Sequence, residues 1–242
     1  GFGTEQVELE LREFFPKMRV VRLDYDTTRA KNIFKNIINS FDNHEYDVLV
    51  GTQMITKGLD FKNVQLVGVL NLDSSMNFPD FRSYERSFQL IQQVSGRAGR
   101  SKEQGEVLIQ TYNSKSTIVN QIITGDYEMF YNEQVDDREK FSYPPFVKLI
   151  KITIKHKELN KVNNSSNWFF KKIYPYFKEN LLGPEFPYIS RIRNKYQKNM
   201  LIKITSNQSL SAVKNILKKS IISFQSVADF RPVQIIVDVD PY

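Results

Sequence analysis

Apolar side chains in the first 112 residues recur at two different spacings. Val7, Leu11 and Phe14 follow the helical period, whereas Val48-Leu49-Val50 is a short apolar run of the kind found in buried strands. The pattern predicts helices over 4–15, 30–41 and 80–94, with Thr4 and Asp80 as N-caps, and strands over 19–23, 47–50, 64–70 and 105–112. Helices and apolar strands in alternation predict an α/β fold with a parallel sheet covered on both faces.

The last hundred residues have a different order of elements. Residues 146–155 (FVKLIKITIK) alternate apolar and basic positions, which predicts a half-buried strand with outward lysines. The remaining pattern predicts helices over 168–177 and 210–221 and strands over 187–192, 200–205 and 233–239. The order β-α-β-β-α-β predicts a smaller, ferredoxin-like α+β domain.

Charge divides the chain into three parts. Lys and Arg against Asp and Glu number 14 to 15 in residues 1–112, 3 to 6 in 113–145 and 17 to 6 in 146–242. We therefore predict a lobe over 1–112, an acidic helical connector over 113–145 and a basic domain over 146–242. Such a cationic excess favours binding to nucleic acid over a merely soluble surface. The adjacent prolines Pro144 and Pro145 support the second boundary.

Several classes of site are disfavoured by composition. The chain has no Cys, which excludes disulfides and thiolate metal sites within it, and its two histidines lie near no acidic cluster. The acidic helix over 126–140 could suggest acid–base or metal chemistry, but it lacks a histidine and its charges surround the helix, so a solvated connector is favoured. We predict no metal site and no membrane span in this sequence.

The segment Gln92–Arg100 (QQVSGRAGR) contains the strongest chemical signal. Gln93, Gly96, Arg97 and Arg100 match the spacing Q-x-x-G-R-x-x-R. Two guanidinium groups at this spacing can bind the oxygens of a polyphosphate, because each planar fork stays charged and binds at two points. The alternative is a charged turn that follows a helix.

A second segment, Gly51–Phe61 (GTQMITKGLDF), directly follows a predicted strand. Small and hydroxyl residues at a strand end let backbone amides approach a phosphate closely. Asp60 could accept hydrogen bonds from a ribose hydroxyl. Alternatively, the segment is an ordinary turn in which Gly58 supplies a positive φ.

These two segments resemble the second motor lobe of superfamily 2 helicases, and the run from GTQMITKGLDF to QQVSGRAGR is similar to the primosomal replication-restart helicase family. The resemblance extends through DYEMFYNEQVDDREKFSYPPF to the terminal DVDPY. It implies a RecA-like parallel-sheet lobe followed by a small domain that engages branched DNA. In that family the lobe also carries a cysteine-rich zinc-binding insert before the GTE segment, so zinc is expected only upstream of this chain.

The resemblance also implies roles for individual residues. Thr52, Gln53 and Lys57 would face nucleic acid, whereas Gly58 and Asp60 would face a nucleotide. Catalytic roles fall to Gln93, Arg97 and Arg100, and Gly96 would bind the nucleotide with the two arginines. One arginine would act as the finger that stabilises charge on the γ-phosphoryl group of ATP.

ATP with Mg would be shared with a first lobe outside this sequence, because the chain contains no G-x-x-x-x-G-K-[ST] loop and no DExH-type tetrapeptide. We therefore expect no ATPase activity from this polypeptide alone. The resemblance further implies forked or single-stranded DNA, other primosome proteins and single-strand-binding proteins as partners, and a cytoplasmic location.

The basic domain offers its own candidate for DNA contact. A basic, polar turn over 193–198 is predicted to join the strands over 187–192 and 200–205. From the end of the first strand through this turn, cations are mixed with an aromatic ring: Arg191, Arg193, Lys195, Tyr196 and Lys198. They could follow a phosphate backbone while Tyr196 stacks on an unpaired base. The alternative is a solvated hairpin with Tyr196 packed inward.

Two function classes are compatible with these patterns. The first is part of an ATP-driven DNA helicase that restarts stalled replication forks. The second is a non-enzymatic nucleic-acid-binding module on a helicase-like scaffold. The set Gln93, Arg97 and Arg100 favours the first, because a pure binding module has no use for a phosphate sensor. An RNA helicase of the same superfamily is a weaker third alternative.

Overall fold

The computed structural model describes residues 3–24, 31–52, 64–96 and 105–241. They form two compact units, a first unit over Gly1–Phe130 and a second unit over Tyr131–Tyr242. The division falls within a helix that spans Tyr127–Lys140. The three-part division at residues 112 and 145 stays a prediction.

The first unit alternates helices with short strands, as the hydrophobic pattern predicts. Two elements that the pattern did not predict, α3 and α5, are also present. The order is α1 Thr4–Phe14, β1 Val20–Leu23, α2 Lys31–Asp42, β2 Val48–Gly51, β3 Leu66–Val69, α3 Leu72–Met76, α4 Ser83–Ser95, β4 Glu106–Ile109, α5 Thr117–Thr124 and α6 Tyr127–Lys140.

The strands of the first unit pair in parallel. β1 pairs with β2 from Val20↔Val48 to Leu23↔Gly51, and β3 pairs with β4. Among the described residues these pairs form two separate two-stranded sheets. The parallel direction and the mixed α/β character agree with the sequence pattern, whereas one continuous RecA-like sheet stays a prediction.

One hydrophobic cluster holds α3, α4, α5 and the start of α6 together. Phe88 of α4 stacks on Phe130 with ring centroids 4.5 Å apart. Burial of such side chains stabilises each by about 1.5–3 kcal/mol relative to exposure. The buried members are Leu72, Met76, Phe88, Ile91, Val94, Val119, Ile122 and Phe130.

Polar contacts connect α1 to β1. Thr4 Oγ1 donates to Asp24 Oδ2 at 2.7 Å, and Arg22 Nε lies 3.3 Å from the same carboxylate oxygen. The prediction that Thr4 caps α1 is therefore wrong. Gly3 is the N-cap residue and has no side chain with which to cap the helix, and the Thr4 hydroxyl is engaged by the carboxylate that follows β1.

A second polar contact joins the beginnings of β1 and β2. The backbone N–H, Nε and Nη2 of Arg19 all donate to the Asp47 carboxylate, at 2.8, 3.0 and 2.6 Å. Hydrogen bonds to the charged form favour that form, so Arg19 lowers the pKa of Asp47 from 3.8 to about 2.

The second unit is an antiparallel sheet with two long helices. Its elements are β5 Lys148–His156, α7 Leu159–Phe177, β6 Leu181–Glu185, β7 Arg191–Ile192, β8 Lys195–Ile204, α8 Leu210–Ser226 and β9 Gln234–Val239. The strand order is β6-β8-β5-β9, and the short β7 also pairs with β8. The unit consists of two β-α-β halves, β5-α7-β6 and β8-α8-β9. The two strands of each half are parallel, and one strand of the other half lies between them.

Both helices pack on one side of this sheet. Ile150, Ile152 and Ile154 of β5 are fully buried there with Met200 and Ile202 of β8. The helices contribute Phe169, Ile173, Val213, Leu217 and Phe224 to the same cluster. Trp168 packs at its margin, with its ring 5.9 Å from Phe224 and 5.8 Å from Phe230.

The strand predicted over 187–192 is misplaced, and the structure shows why. The second strand of this unit is β6 at Leu181–Glu185, and only Arg191–Ile192 of the predicted segment is strand. Gly183 and Pro184 interrupt the apolar alternation of β6, so the sequence pattern did not predict this strand. A Cβ at Gly183 would lie 2.5 Å from the Asn199 carbonyl oxygen, and its φ is +91°.

Replacing Asp47 with Asn should change how stability depends on pH. Because the pKa of Asp47 is lowered, its contribution is present above its ordinary value of 3.8 and is lost as pH falls through about 2. The wild-type chain should therefore be more stable than Asp47→Asn at neutral pH, and the difference should shrink between these two pH values. Urea unfolding followed by circular dichroism measures it. Asp136→Asn, at an exposed position, is the control, and an unchanged difference at pH 2 would contradict the prediction.

Gly183→Ala should destabilise the second unit by about 1–3 kcal/mol or more, because the methyl group meets backbone at a positive φ. The matched control is Gly68→Ala in β3, where a Cβ would meet nothing within 4 Å. Thermal unfolding should show a lower midpoint for Gly183→Ala alone. Equal midpoints for the two variants would show that β6 and β8 can move apart without lowering the free energy of unfolding.

Candidate nucleotide and nucleic-acid sites

The first candidate site lies at the carboxyl ends of β1 and β2. Leu23 and Gly51 are register partners, so the residues after both strands leave the sheet at one edge, where parallel sheets bind ligands. Thr52 is exposed at this edge. The other predicted residues of the segment, Gln53, Lys57, Gly58 and Asp60, lie outside the described part of the chain.

The second candidate segment begins at the end of α4. Gln93 is exposed. Gly96 follows as the C-cap, with its N–H directed to the carbonyl oxygens of Gln92 and Val94. Arg97 and Arg100 lie outside the described residues. An exposed amide at the end of α4 is compatible with a phosphate ligand.

Neighbouring side chains hold this end of α4 in place. Ile91 and Val94 are buried on its inner side, and Gln92 Nε2 donates to the Ile122 carbonyl oxygen at 3.2 Å. Both glutamines are exposed, and Gln92 attaches α4 to α5 through this hydrogen bond. Sequence alone did not separate these two adjacent glutamines.

The third candidate site is the basic hairpin, Arg191–Lys198. Its turn consists of Arg193 and Asn194, whose φ values are 48° and 62°. Two positive φ values in a two-residue loop are typical of a type I′ turn. The predicted six-residue turn over 193–198 is therefore wrong, because β8 begins at Lys195 and includes Tyr196 and Lys198.

The side chains of the hairpin are partly engaged with one another. The Arg191 guanidinium lies 4.9 Å from the centroid of the Tyr196 ring and donates to the Asn194 side chain. Lys195 Nζ donates to Gln234 Oε1 at 3.4 Å. Arg193 is exposed at the tip, so it is the cation best placed to meet a phosphate.

Strand alternation places the hairpin residues on two sides of the sheet. Tyr196 and Lys198 pair with His156 and Ile154, so they share the side that the helices cover. Lys195 lies on the opposite side. The five predicted residues are thus neighbours in the chain, but they do not form one flat surface.

Lys203 has a different use from the hairpin cations. Its Nζ donates to the Phe141 carbonyl oxygen at 2.6 Å and lies 4.3 Å from the centroid of the Tyr143 ring. Burial lowers the pKa of Lys203. Lys203 therefore binds the segment before β5 to the sheet and contributes less than the hairpin cations to the positive charge at the surface.

The acidic helix α6 carries no grouped set of metal-ligand side chains. On α6, only Phe130 is buried, and Glu128, Asp136 and Glu139 are exposed. Within the described ranges, no three His, Asp or Glu side chains are grouped as metal ligands would be. In the same part of the chain, no helix combines the length and apolar character needed to cross a bilayer.

Two residues of interest were missed by the sequence analysis. Tyr188 is 82% exposed and Gln197 only 7%, although the pattern placed the first in a strand and the second in a turn. Both errors come from the misplaced strand over 187–192. The turn chemistry of Arg193-Asn194 could have shortened that loop, since Asn tolerates a positive φ.

Comparisons with known proteins match both units. The helicase conserved C-terminal domain matches residues 2–102, and the primosomal protein N C-terminal domain matches residues 139–242. Replication restart protein PriA of Bacillus subtilis is 40% identical over 248 residues, covering 100% of this chain and 30% of that protein. PriA of Borreliella burgdorferi is 35% identical (97% and 36%), and PriA of Synechocystis is 37% identical (99% and 28%).

The chain thus spans about a third of the length of the curated relatives that it matches. The two domain matches follow each other along the chain, with residues 103–138 between them. The similarity to PriA of Bacillus subtilis includes those residues. This chain belongs to the replication restart protein PriA family and corresponds to the C-terminal part of its members.

Proposed function

We propose that this chain is the second motor lobe and DNA-binding tail of an ATP-dependent superfamily 2 DNA helicase that recognises and remodels stalled or branched replication forks. The observation that carries the proposal is the sequence set Gln93, Gly96, Arg97 and Arg100, of which Gln93 and Gly96 lie at the end of α4. The first two are exposed there, and the spacing of all four suits a triphosphate.

In this proposal the nucleotide lies between this lobe and a first lobe of the same protein. Arg97 and Arg100 would bind the γ-phosphate oxygens and stabilise the charge that develops on them. Gly58 and Asp60 would contact the nucleotide from the segment after β2, and Gln93 would orient it. Mg·ATP supplies the transferable phosphoryl group when bound.

The domain architecture fits the same proposal. Parallel pairs β1-β2 and β3-β4 are what a RecA-like lobe requires. The order β6-β8-β5-β9 with both helices on one side is the order of a ferredoxin-like domain. We therefore infer that the first unit is the motor lobe and the second the basic DNA-binding domain.

DNA, forked or single-stranded, is the proposed partner of the second unit. The excess of 17 cations over 6 carboxylates in residues 146–242 favours a polyanion. Arg193 and Lys195 of the basic hairpin, and Thr52, Gln53 and Lys57 of the first unit, are the proposed contacts. We also propose other primosome proteins and single-strand-binding proteins as partners of this protein, and a cytoplasmic location for it.

A non-enzymatic nucleic-acid-binding module is the second candidate function. The second unit favours it, since its basic hairpin needs no motor to bind DNA. The exposed Gln93 beside an arginine pair favours the motor instead. Tighter binding of forked DNA than of duplex RNA would separate both candidates from an RNA helicase.

Arg100→Ala should abolish ATP hydrolysis in the full-length protein while leaving DNA binding nearly intact. An arginine finger typically contributes about 10³–10⁵ in rate. Arg100→Lys is the matched variant, because it keeps the charge but loses the planar fork, and hydrolysis should remain low. DNA-stimulated phosphate release and DNA affinity are measured on the same preparations. Parallel loss of both would indicate a structural role for Arg100.

A hairpin variant should weaken DNA binding through charge. Arg193→Gly combined with Lys195→Gln removes two cations, and Gly readily adopts the positive φ at residue 193, so the turn should persist. Affinity for forked DNA should fall at low salt, and the slope of log affinity against log salt should decrease by about 0.7–0.9 per lost phosphate contact. The control is Lys171→Ala combined with Lys172→Ala, which also removes two cations. Both lysines are exposed on α7. Equal effects of the two double variants would exclude a specific role for the hairpin.

A further inference from the structure

The segment between β6 and β7 displays large side chains to solvent. This aromatic loop, residues 186–190, contains Phe186 at 45% exposure, Tyr188 at 82% and Ile189 at 56%. Single exposed apolar residues are common on protein surfaces. Here three occur within four positions, and the loop leads directly into the basic hairpin. Tyr188 is the most exposed of the three.

The backbone around Tyr188 is held on the sheet. The Gln197 backbone N–H donates to the Ser190 carbonyl oxygen at 2.9 Å, and Gln197 Nε2 donates to the Ile189 carbonyl oxygen at 2.7 Å. On the other side of Tyr188, the Phe186 ring lies 4.7 Å from Lys198 Nζ. The loop is therefore preorganised, which lowers the entropic cost of binding a ligand to the exposed ring.

Tyr196, the aromatic residue singled out by its position among the cations, is less exposed than Tyr188. The Arg191 guanidinium lies over its ring, 4.9 Å from the centroid. One ring face is therefore already in contact with a cation, and Tyr196 lies on the helix side of the sheet. Tyr188 offers the larger accessible ring.

Charge beside the aromatic loop selects the class of ligand. Residues 185–198 contain four cations, Arg191, Arg193, Lys195 and Lys198, and a single carboxylate, Glu185. Cations suit a phosphate backbone, and an exposed flat ring suits an unpaired base. Their combination is typical of proteins that bind single-stranded nucleic acid. A duplex offers no free base face to the ring.

We propose that Tyr188 stacks on an unpaired base of single-stranded DNA while cations of the basic hairpin bind the adjoining phosphates. This inference rests on the DNA-binding function proposed above and adds the position at which an unpaired base is held. Stacking is insensitive to ionic strength compared with phosphate binding, so the two contributions are separable by experiment.

The test uses the whole 242-residue chain and a labelled oligothymidylate of about 15 nucleotides, a length within the usual site sizes. Tyr188→Ala should bind about 5- to 100-fold more weakly, as expected for the loss of one stacked base, with an unchanged salt slope. Tyr188→Phe keeps the ring and should bind like the wild type. Tyr112→Ala, which removes another highly exposed tyrosine (94%) in the first unit, should also bind like the wild type.

An abasic oligonucleotide of the same length completes the test. Without bases the wild type should bind it no better than Tyr188→Ala does, because the ring has nothing to stack on. The stacking proposal would be overturned if Tyr188→Ala also bound the abasic strand more weakly than the wild type does. It would equally be overturned if the wild type and Tyr188→Ala bound oligothymidylate with the same affinity. Absence of any salt-dependent binding by the wild type would instead refute the DNA-binding function itself.

Discussion

The pairing of β5 with β8 is the constraint on which the second unit depends. Its register is unbroken from Lys148↔Ile204 to His156↔Tyr196. Because strand side chains alternate, a slip of one residue would turn Ile150, Ile152 and Ile154 away from the helices. The same register determines on which side of the sheet each hairpin residue lies. The register of β5 and β8 thus determines both the packing of the core and the side of the sheet on which the hairpin cations lie.

The two units differ in what their polar groups do. In the first unit, Thr4 and Asp24 join α1 to the end of β1, and Arg19 and Asp47 join the beginnings of β1 and β2. The segments proposed to bind a nucleotide follow β2 and α4. In the second unit, the exposed Arg193 projects from a tight turn. This division fits a protein in which one part responds to a phosphate ligand and the other holds a polyanion.

Regular elements were predictable where the apolar period was clear. The apolar stripes of α4 and α8 are clear because each helix buries one side against a single cluster, and β5 contributes Ile150, Ile152 and Ile154 to the same cluster as α8. β6 was not predictable, since Gly183 and Pro184 interrupt its pattern at the close approach to Asn199. The hairpin turn was overlooked because Arg193-Asn194 lacks the glycine that usually marks a type I′ turn.

The candidate sites followed a similar rule. Spacing made Gln93, Arg97 and Arg100 candidates, because the geometry of phosphate binding restricts how far apart such groups can be. Spacing could not show that Gln92, the neighbour of Gln93, binds the Ile122 carbonyl oxygen. Nor could it show that Tyr188 is exposed on a loop whose backbone is bound by Gln197.

The position of Trp168 has a practical consequence. It is the sole tryptophan of the chain, and it packs against Phe224 and Phe230 at the margin of the second core. Its indole emission therefore reports the melting of that unit alone, whereas the first unit remains optically silent at wavelengths that excite only indole. The chain thus contains an intrinsic probe that distinguishes the unfolding of its two halves without any added label.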